Sequence, residues 1–261
     1  MPYESATVTI RVAQSFDGRD EVDEIPVSIF GQQFTSKGQP NPAYKTVQDL
    51  HNMKTAQEHG YELADTVRIT GANLRENNFV AKSGQVINTW QINSSFINGG
   101  GTPELATFFV DIFIMDMSPE LNRDGEETGR LLIKGAVVQY GGKLEVFQFI
   151  VEDPDKVEYI TNHWNVNDTV NARGHIRVTS LEEKSSGKQS TWGEQIPDVT
   201  TKMVRELIIT DGDDEGKEED FAYDPVEIKK GFNVRKAMIE QMQVEVKEKP
   251  TANAANDYDW R

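Results

Sequence analysis

Residues 6–12 alternate polar and apolar side chains and are rich in β-branched residues, which predicts an opening strand. Charged and Gly-containing residues at 17–24 predict a turn before a second strand at 24–30. A polar linker at 35–44 then leads to residues 46–60. There Val47, Leu50 and Met53 recur near helical spacing and Gly60 suits a C-terminal cap, so one short helix is expected. From 65 to 152 strand patterns dominate, at 65–71, 78–97, 105–117, 129–140 and 143–152, with Gly-rich breaks at 99–101 and 141–142. A meander of antiparallel strands fits this stretch.

Asp153 followed by Pro154 predicts a helix start, since Asp caps well and Pro suits the first turn; the helix is expected to run to Asn162 or Trp164. A strand at 168–181, a polar hairpin-like segment at 182–197 and a strand at 200–210 follow. Residues 225–243 have Pro225 at their start and apolar residues near helical spacing, a helix that Gly231 weakens. No repeat of fixed period is present. The expected fold class is mainly β, an elaborated OB-like antiparallel β-barrel with inserted and appended helices. Residues 1–210 read as that domain with an N-terminal extension, 211–244 as an acidic run and C-terminal helix, and 245–261 as a flexible acidic and aromatic tail.

Formal charge changes the picture. It is -16, from 27 basic and 43 acidic residues, and residues 1–210 carry -10 of it. A nucleic-acid groove would therefore be a local basic stripe on an acidic body, with affinity that falls steeply with salt. The absence of cysteine excludes disulfides, zinc knuckles and thiol chemistry. His51, His59, His163 and His175 show no metal-ligand spacing, and no cofactor is expected. No run of about 18 apolar residues and no signal-peptide pattern occurs, which reads as a soluble, intracellular protein without a membrane partner.

Within residues 169–178, Val170, Ala172, Gly174, Ile176 and Val178 fall on one side of a strand, and Asn171, Arg173, His175 and Arg177 on the other. The second side is either an ordinary solvated face or part of a binding surface. Arg68, Arg75, Lys82, Arg130, Lys134, Lys143, Lys184 and Lys188 recur at similar places and are candidates to line one groove with it. Trp90, Tyr140, Phe147 and Trp192 interleave with them, and a base stacks on such a ring for about 1–3 kcal/mol whatever its identity. Phe147 and Phe149 also fit core positions, and Phe108, Phe109 and Phe113 are expected in the core. Trp164, at a helix end, is expected to cap the core. In the tail, Asp257, Tyr258, Asp259 and Trp260 alternate carboxylates with rings, a pattern suited to partner recruitment or to competition for a cationic groove.

Enzyme chemistry finds little footing. Asp111 lies in an apolar strand without a second carboxylate or nucleophile at a recognisable spacing, and no phosphate-binding Gly-x-x-x-x-Gly-Lys-Ser/Thr run occurs. A non-catalytic structural or interaction protein, such as a virion component or a DNA mimic, is the competing reading.

Trp164-x-Val166-x-Asp168-Thr169-Val170 running into Gly174-x-Ile176, then Ser190-Thr191-Trp192-Gly193-Glu194, Val204-Arg205-Glu206-Leu207, Tyr223-Asp224-Pro225 and Ile228-Lys229-Lys230, resemble phage single-stranded DNA-binding proteins of Gram-positive hosts. The resemblance covers roughly the last hundred residues best. It implies an OB-fold protein that coats and protects single-stranded DNA during replication or recombination in the host cytoplasm. It also implies a tail that regulates binding or recruits replication or recombination proteins. The tail ends in Arg261 and lacks the Pro-Phe ending of bacterial single-strand binding proteins.

Overall fold

The computed structural model describes residues 2–16, 19–81, 83–101, 105–139, 141–185 and 198–248. Two long strands open the chain, β1 (Tyr3–Phe16) and β2 (Arg19–Gln32), paired antiparallel in unbroken register from Tyr3↔Gln32 to Phe16↔Arg19. Residues 19–24, expected in a turn, are therefore strand. Their charges misled because Asp23 is fully buried: its carboxylate accepts from Gln14 Nε2 at 2.6 Å and from the Val178 backbone N–H at 2.7 Å. A buried carboxylate with two donors is a docking anchor.

Next come α1 (Pro42–Leu50) and α2 (Ala56–His59), where one helix was expected. The break is local chemistry. The Lys54 N–H goes to the Asp65 carboxylate at 2.9 Å, and Thr55 caps a new helix by accepting from the Glu58 N–H. Gly60 caps α2 with φ 80°, as the sequence suggests. Short strands follow: β3 (Val67–Arg68), β4 (Asn73–Glu76), β5 (Phe79–Val80), β6 (Val86–Ile87), β7 (Trp90–Ser94) and β8 (Asn98–Gly99). These short strands form no meander; the expected antiparallel meander is confined to the later strands at 107–151. β4 and β7 extend the first hairpin into a sheet ordered β1-β2-β7-β4, with β7 parallel to β2.

The barrel begins at β9 (Thr107–Leu121) and continues through β10 (Glu127–Val138), β11 (Leu144–Val151), α3 (Pro154–His163), β12 (Thr169–Ser185) and β13 (Asp198–Gly212). It closes in the order β10-β11-β13-β12-β9. Five strands with a helix between the third and fourth make this an OB barrel. One pairing is parallel, β11 with β13 through Ile150↔Ile208, so the barrel is not wholly antiparallel. Asp153 caps α3 as expected: it accepts from the Asp155 and Lys156 N–H groups, which hold its carboxyl below the usual range.

Ile112, Ile133, Phe149, Val170 and Leu207 fill the barrel, and Val12, Ile25, Val27 and Ile92 from the first sheet join the same core. The N-terminal third thus decorates the barrel and shares its core without entering its wall. Trp164 closes one end of that core, with its indole N–H donating to the Asp213 carbonyl at 2.8 Å. The last described element is α4 (Pro225–Glu248), which runs past the expected end at 243.

Candidate nucleic-acid interface

Asn171, Arg173, His175 and Arg177 stand opposite the core side chains Val170, Ala172, Ile176 and Val178, as strand alternation requires. Their surroundings differ sharply. The Arg173 side chain is 49% exposed; its Nη1 lies 3.2 Å from Asp211 and its Nε donates to Asn171 at 3.1 Å. The guanidinium sits 5.3 Å from the ring centroid of Phe109, its direct cross-strand neighbour on β9. Phe109 is 71% exposed, which corrects its expected place in the core. Phe108 and Val110 take the inward positions against the core, so alternation turns Phe109 and Asp111 outward. Asp111, two residues on, was the signal that marked this side.

His175 is 3% exposed and cannot meet a nucleic acid. It immediately precedes the stretch on which the first hairpin docks, where the Ile176 carbonyl accepts from Gln14 and the Val178 N–H donates to Asp23. Arg177 and Arg130 belong to an internal ion network. Arg177 grips Glu152 with two bonds of 2.6 and 3.1 Å and reaches Glu206 at 3.2 Å; Arg130 contacts Glu206 at 2.7 Å, Glu120 at 3.4 Å and Glu152 at 3.5 Å. Three carboxylates meet two guanidiniums there, so an approaching phosphate finds net negative charge. The expected DNA contacts at Arg130 and Arg177 are thereby turned into structural ones.

Arg75 and Lys143 converge on the fully buried Glu145, at 3.5 and 2.7 Å. Glu76 beside them accepts from the Arg235 side chain of α4 at 2.6 Å. Phe147 is 3% exposed and packs edge-on to Phe149, which makes it a core ring and no stacking platform. Lys134 is exposed on the outer side of β10 with no ion-pair partner among the described residues, and Arg68 is exposed on β3. Trp90 is half-buried against the core, with Arg205 5.9 Å from its ring centroid and donating to its carbonyl at 2.7 Å. Lys82, Tyr140, Lys188 and Trp192, with the tail residues Asp257, Tyr258, Asp259 and Trp260, lie outside the described residues. The described basic candidates thus fall into separate clusters instead of one groove. A further guanidinium–ring pair, Arg11 over Tyr61 at 4.6 Å, joins segments too far apart in sequence for any spacing to betray it.

The acidic run from 211 is a strap across the barrel wall. Asp213 accepts from the Asn171 N–H at 2.8 Å, the Lys217 N–H donates to the Thr169 carbonyl, and Lys217 Nζ lies 2.7 Å from Asp111. Burial alone would push the Asp111 carboxyl up, but hydrogen bonds from Lys217 and Asn171 and the Lys217 charge outweigh it and hold it low. A carboxylate held ionised in this way is a poor general acid at neutral pH. Burial, and then the Asp111 charge, push the nearby Tyr223 phenol up.

Among solved structures, the chain is similar to wild-type single-stranded DNA binding protein from Thermus aquaticus, at 8% identity over 83% of this chain and 82% of that one, with a TM-score of 0.47. It is also similar to a deletion mutant of the Thermus aquaticus protein, at 11% identity over 85% of each chain, with a TM-score of 0.44. Comparison with curated proteins finds no match. A model of the YorF family matches residues 3–245, and the chain therefore belongs to the YorF family.

Proposed function

We propose that this protein binds single-stranded DNA without sequence preference, by stacking and phosphate contacts and without catalysis. In this reading it coats and protects the strand during phage DNA replication or recombination in the host cytoplasm. The tail around Asp257, Tyr258, Asp259 and Trp260 serves as the attachment point for replication or recombination proteins.

The observation that carries the reading is a solvent-exposed ring beside an exposed guanidinium, Phe109 with Arg173, on the outer wall of a closed OB barrel. An exposed ring accepts any base by its face, and a guanidinium beside it serves phosphate or base, a combination suited to sequence-tolerant binding. On a body of charge -16 such contacts must act locally, so salt should weaken them steeply.

Titration of labelled oligo(dT) against duplex DNA of equal length, at low and moderate salt, tests this. Binding should favour the single strand, vary little with base composition and weaken with salt. Equal or tighter binding to duplex would overturn the proposal, and binding to neither would favour an interaction protein with an acidic surface.

A further inference from the structure

OB barrels commonly take oligonucleotides on the outer face of their second and third strands. Those strands are β10 and β11 here, and much of their outer face is occupied. Ile228 and Phe232 of α4, with Tyr223, pack on Phe113, Ala136, Val138, Leu144 and Val146. The helix lies so close that a Cβ added to Gly231 would come within 2.8 Å of Leu144 Cβ. Arg235 fastens it further, with Nε and Nη2 bonds of 2.9 and 2.6 Å to one Glu76 oxygen. The Asp111–Lys217 pair anchors the preceding strap. Lifting α4 would expose an apolar patch and leave Glu76 without its guanidinium, so the helix is built to stay. Beyond it, the start of β10 carries Arg130 in its carboxylate-rich network.

On the adjoining wall, β9 and β12, the strap holds Asp111 and Thr169 through Lys217 and Tyr223, His175 is buried and Arg177 is caged, and between them the Phe109 ring and the Arg173 cation stand open together. From these features we infer that single-stranded DNA crosses this barrel over the outer face of β9 and β12, with Phe109 as a base-stacking platform and Arg173 as the cation beside it, while α4 remains in place over β10 and β11. The inference rests on the proposed single-stranded DNA binding and specifies its path. Core packing does not use the Phe109 ring, since its neighbours Phe108 and Val110 supply the inward contacts. Arg173 is held by an exposed 3.2 Å contact to Asp211, a pairing weak enough for a phosphate to replace.

Two measurements on the full chain test the path. Phe109→Ala should lower oligo(dT) affinity about tenfold with an unchanged thermal melt. Phe109→Tyr should keep the affinity, and Phe30→Ala, which removes an exposed ring from the first sheet, should leave it alone. Hydrogen exchange with and without oligo(dT) should show added protection in β9 and β12 and unaltered protection in residues 228–239 of α4. A wild-type protein that does not bind oligo(dT) would reject the functional reading itself. A wild-type protein that binds, alongside a Phe109→Ala variant that binds equally well, would reject only the path. Faster exchange in α4 on binding would show that the helix leaves and the strand takes the β10–β11 face.

Discussion

Arg173 and Arg177 stand on the same side of β12, yet one faces solvent beside a phenylalanine ring and the other is enclosed by Glu152 and Glu206. Strand alternation assigns both to the outer side and says nothing of what else the fold brings there. Glu120 comes from β9, Glu152 from the residue just after β11 and Glu206 from β13, so only barrel closure assembles the cage. A basic residue is available to DNA only where the anion that the fold supplies is exposed enough to be displaced, as Asp211 is beside Arg173 and as Glu152 and Glu206 are not around Arg177.

The largest effect that can break this comparison is on stability. Arg177→Ala leaves Glu152 and Glu206 facing each other with only Arg130 between them, and should cost about 2 kcal/mol, a fall of about 4–8 °C in Tm. DNA affinity of the folded variant should hardly change. A thermal scan that shows no loss, joined to weakened binding, would reverse the roles of the two arginines.

Arg173→Ala should do the opposite. Its melt should stay within about 0.5 kcal/mol of wild type, while oligo(dT) binding weakens and the slope of log affinity against log salt shrinks by about 1. Anisotropy titrations at three or more salt concentrations measure both quantities.

Removing residues 249–261 should raise single-strand affinity at low salt, with the gain fading as salt rises, if tail carboxylates and rings compete for the same cation and ring. A flexible tether supplies an effective concentration that reaches the millimolar range. The cut falls after Glu248 because α4 extends to that residue. Affinity unchanged at every salt concentration would leave the tail to partner recruitment alone.

The smallest effect concerns pH. The folded Asp111 carboxyl is held low, so its contribution to stability is present above the unfolded value of about 3.9 and is lost as pH falls through the still lower folded value. Lys217→Met should flatten that acid limb of the stability curve and loosen the strap. An acid limb identical to wild type would show that the pair contributes nothing to holding the strap.

Where local chemistry decides, the sequence is readable. Asp153-Pro154 opens α3, Pro225 opens α4, and the alternation at 169–178 names the inner and outer side chains of β12. The unread parts depend on contacts between distant segments. Charges at 19–24 look like a turn until Gln14 and Val178 are placed against Asp23. Phe109 looks like core because two adjacent phenylalanines in an apolar run hide the alternation that Asp111 reveals. The docking of the acidic run is hidden because Lys217 meets Asp111 from 106 residues away in sequence, and no composition shows that α4 covers β10 and β11.

Photocross-linking reports which side chain meets the bases. Oligo(dT) carrying 5-iododeoxyuridine would be bound to the full-length protein, irradiated, and the adduct mapped by mass spectrometry. A base stacked on a ring reacts with that ring, so the expected adduct is at Phe109 and is lost in Phe109→Ala. Adducts confined to residues of α4 or of the Arg130–Arg177 cluster, with none at Phe109, would contradict single-strand binding across β9 and β12.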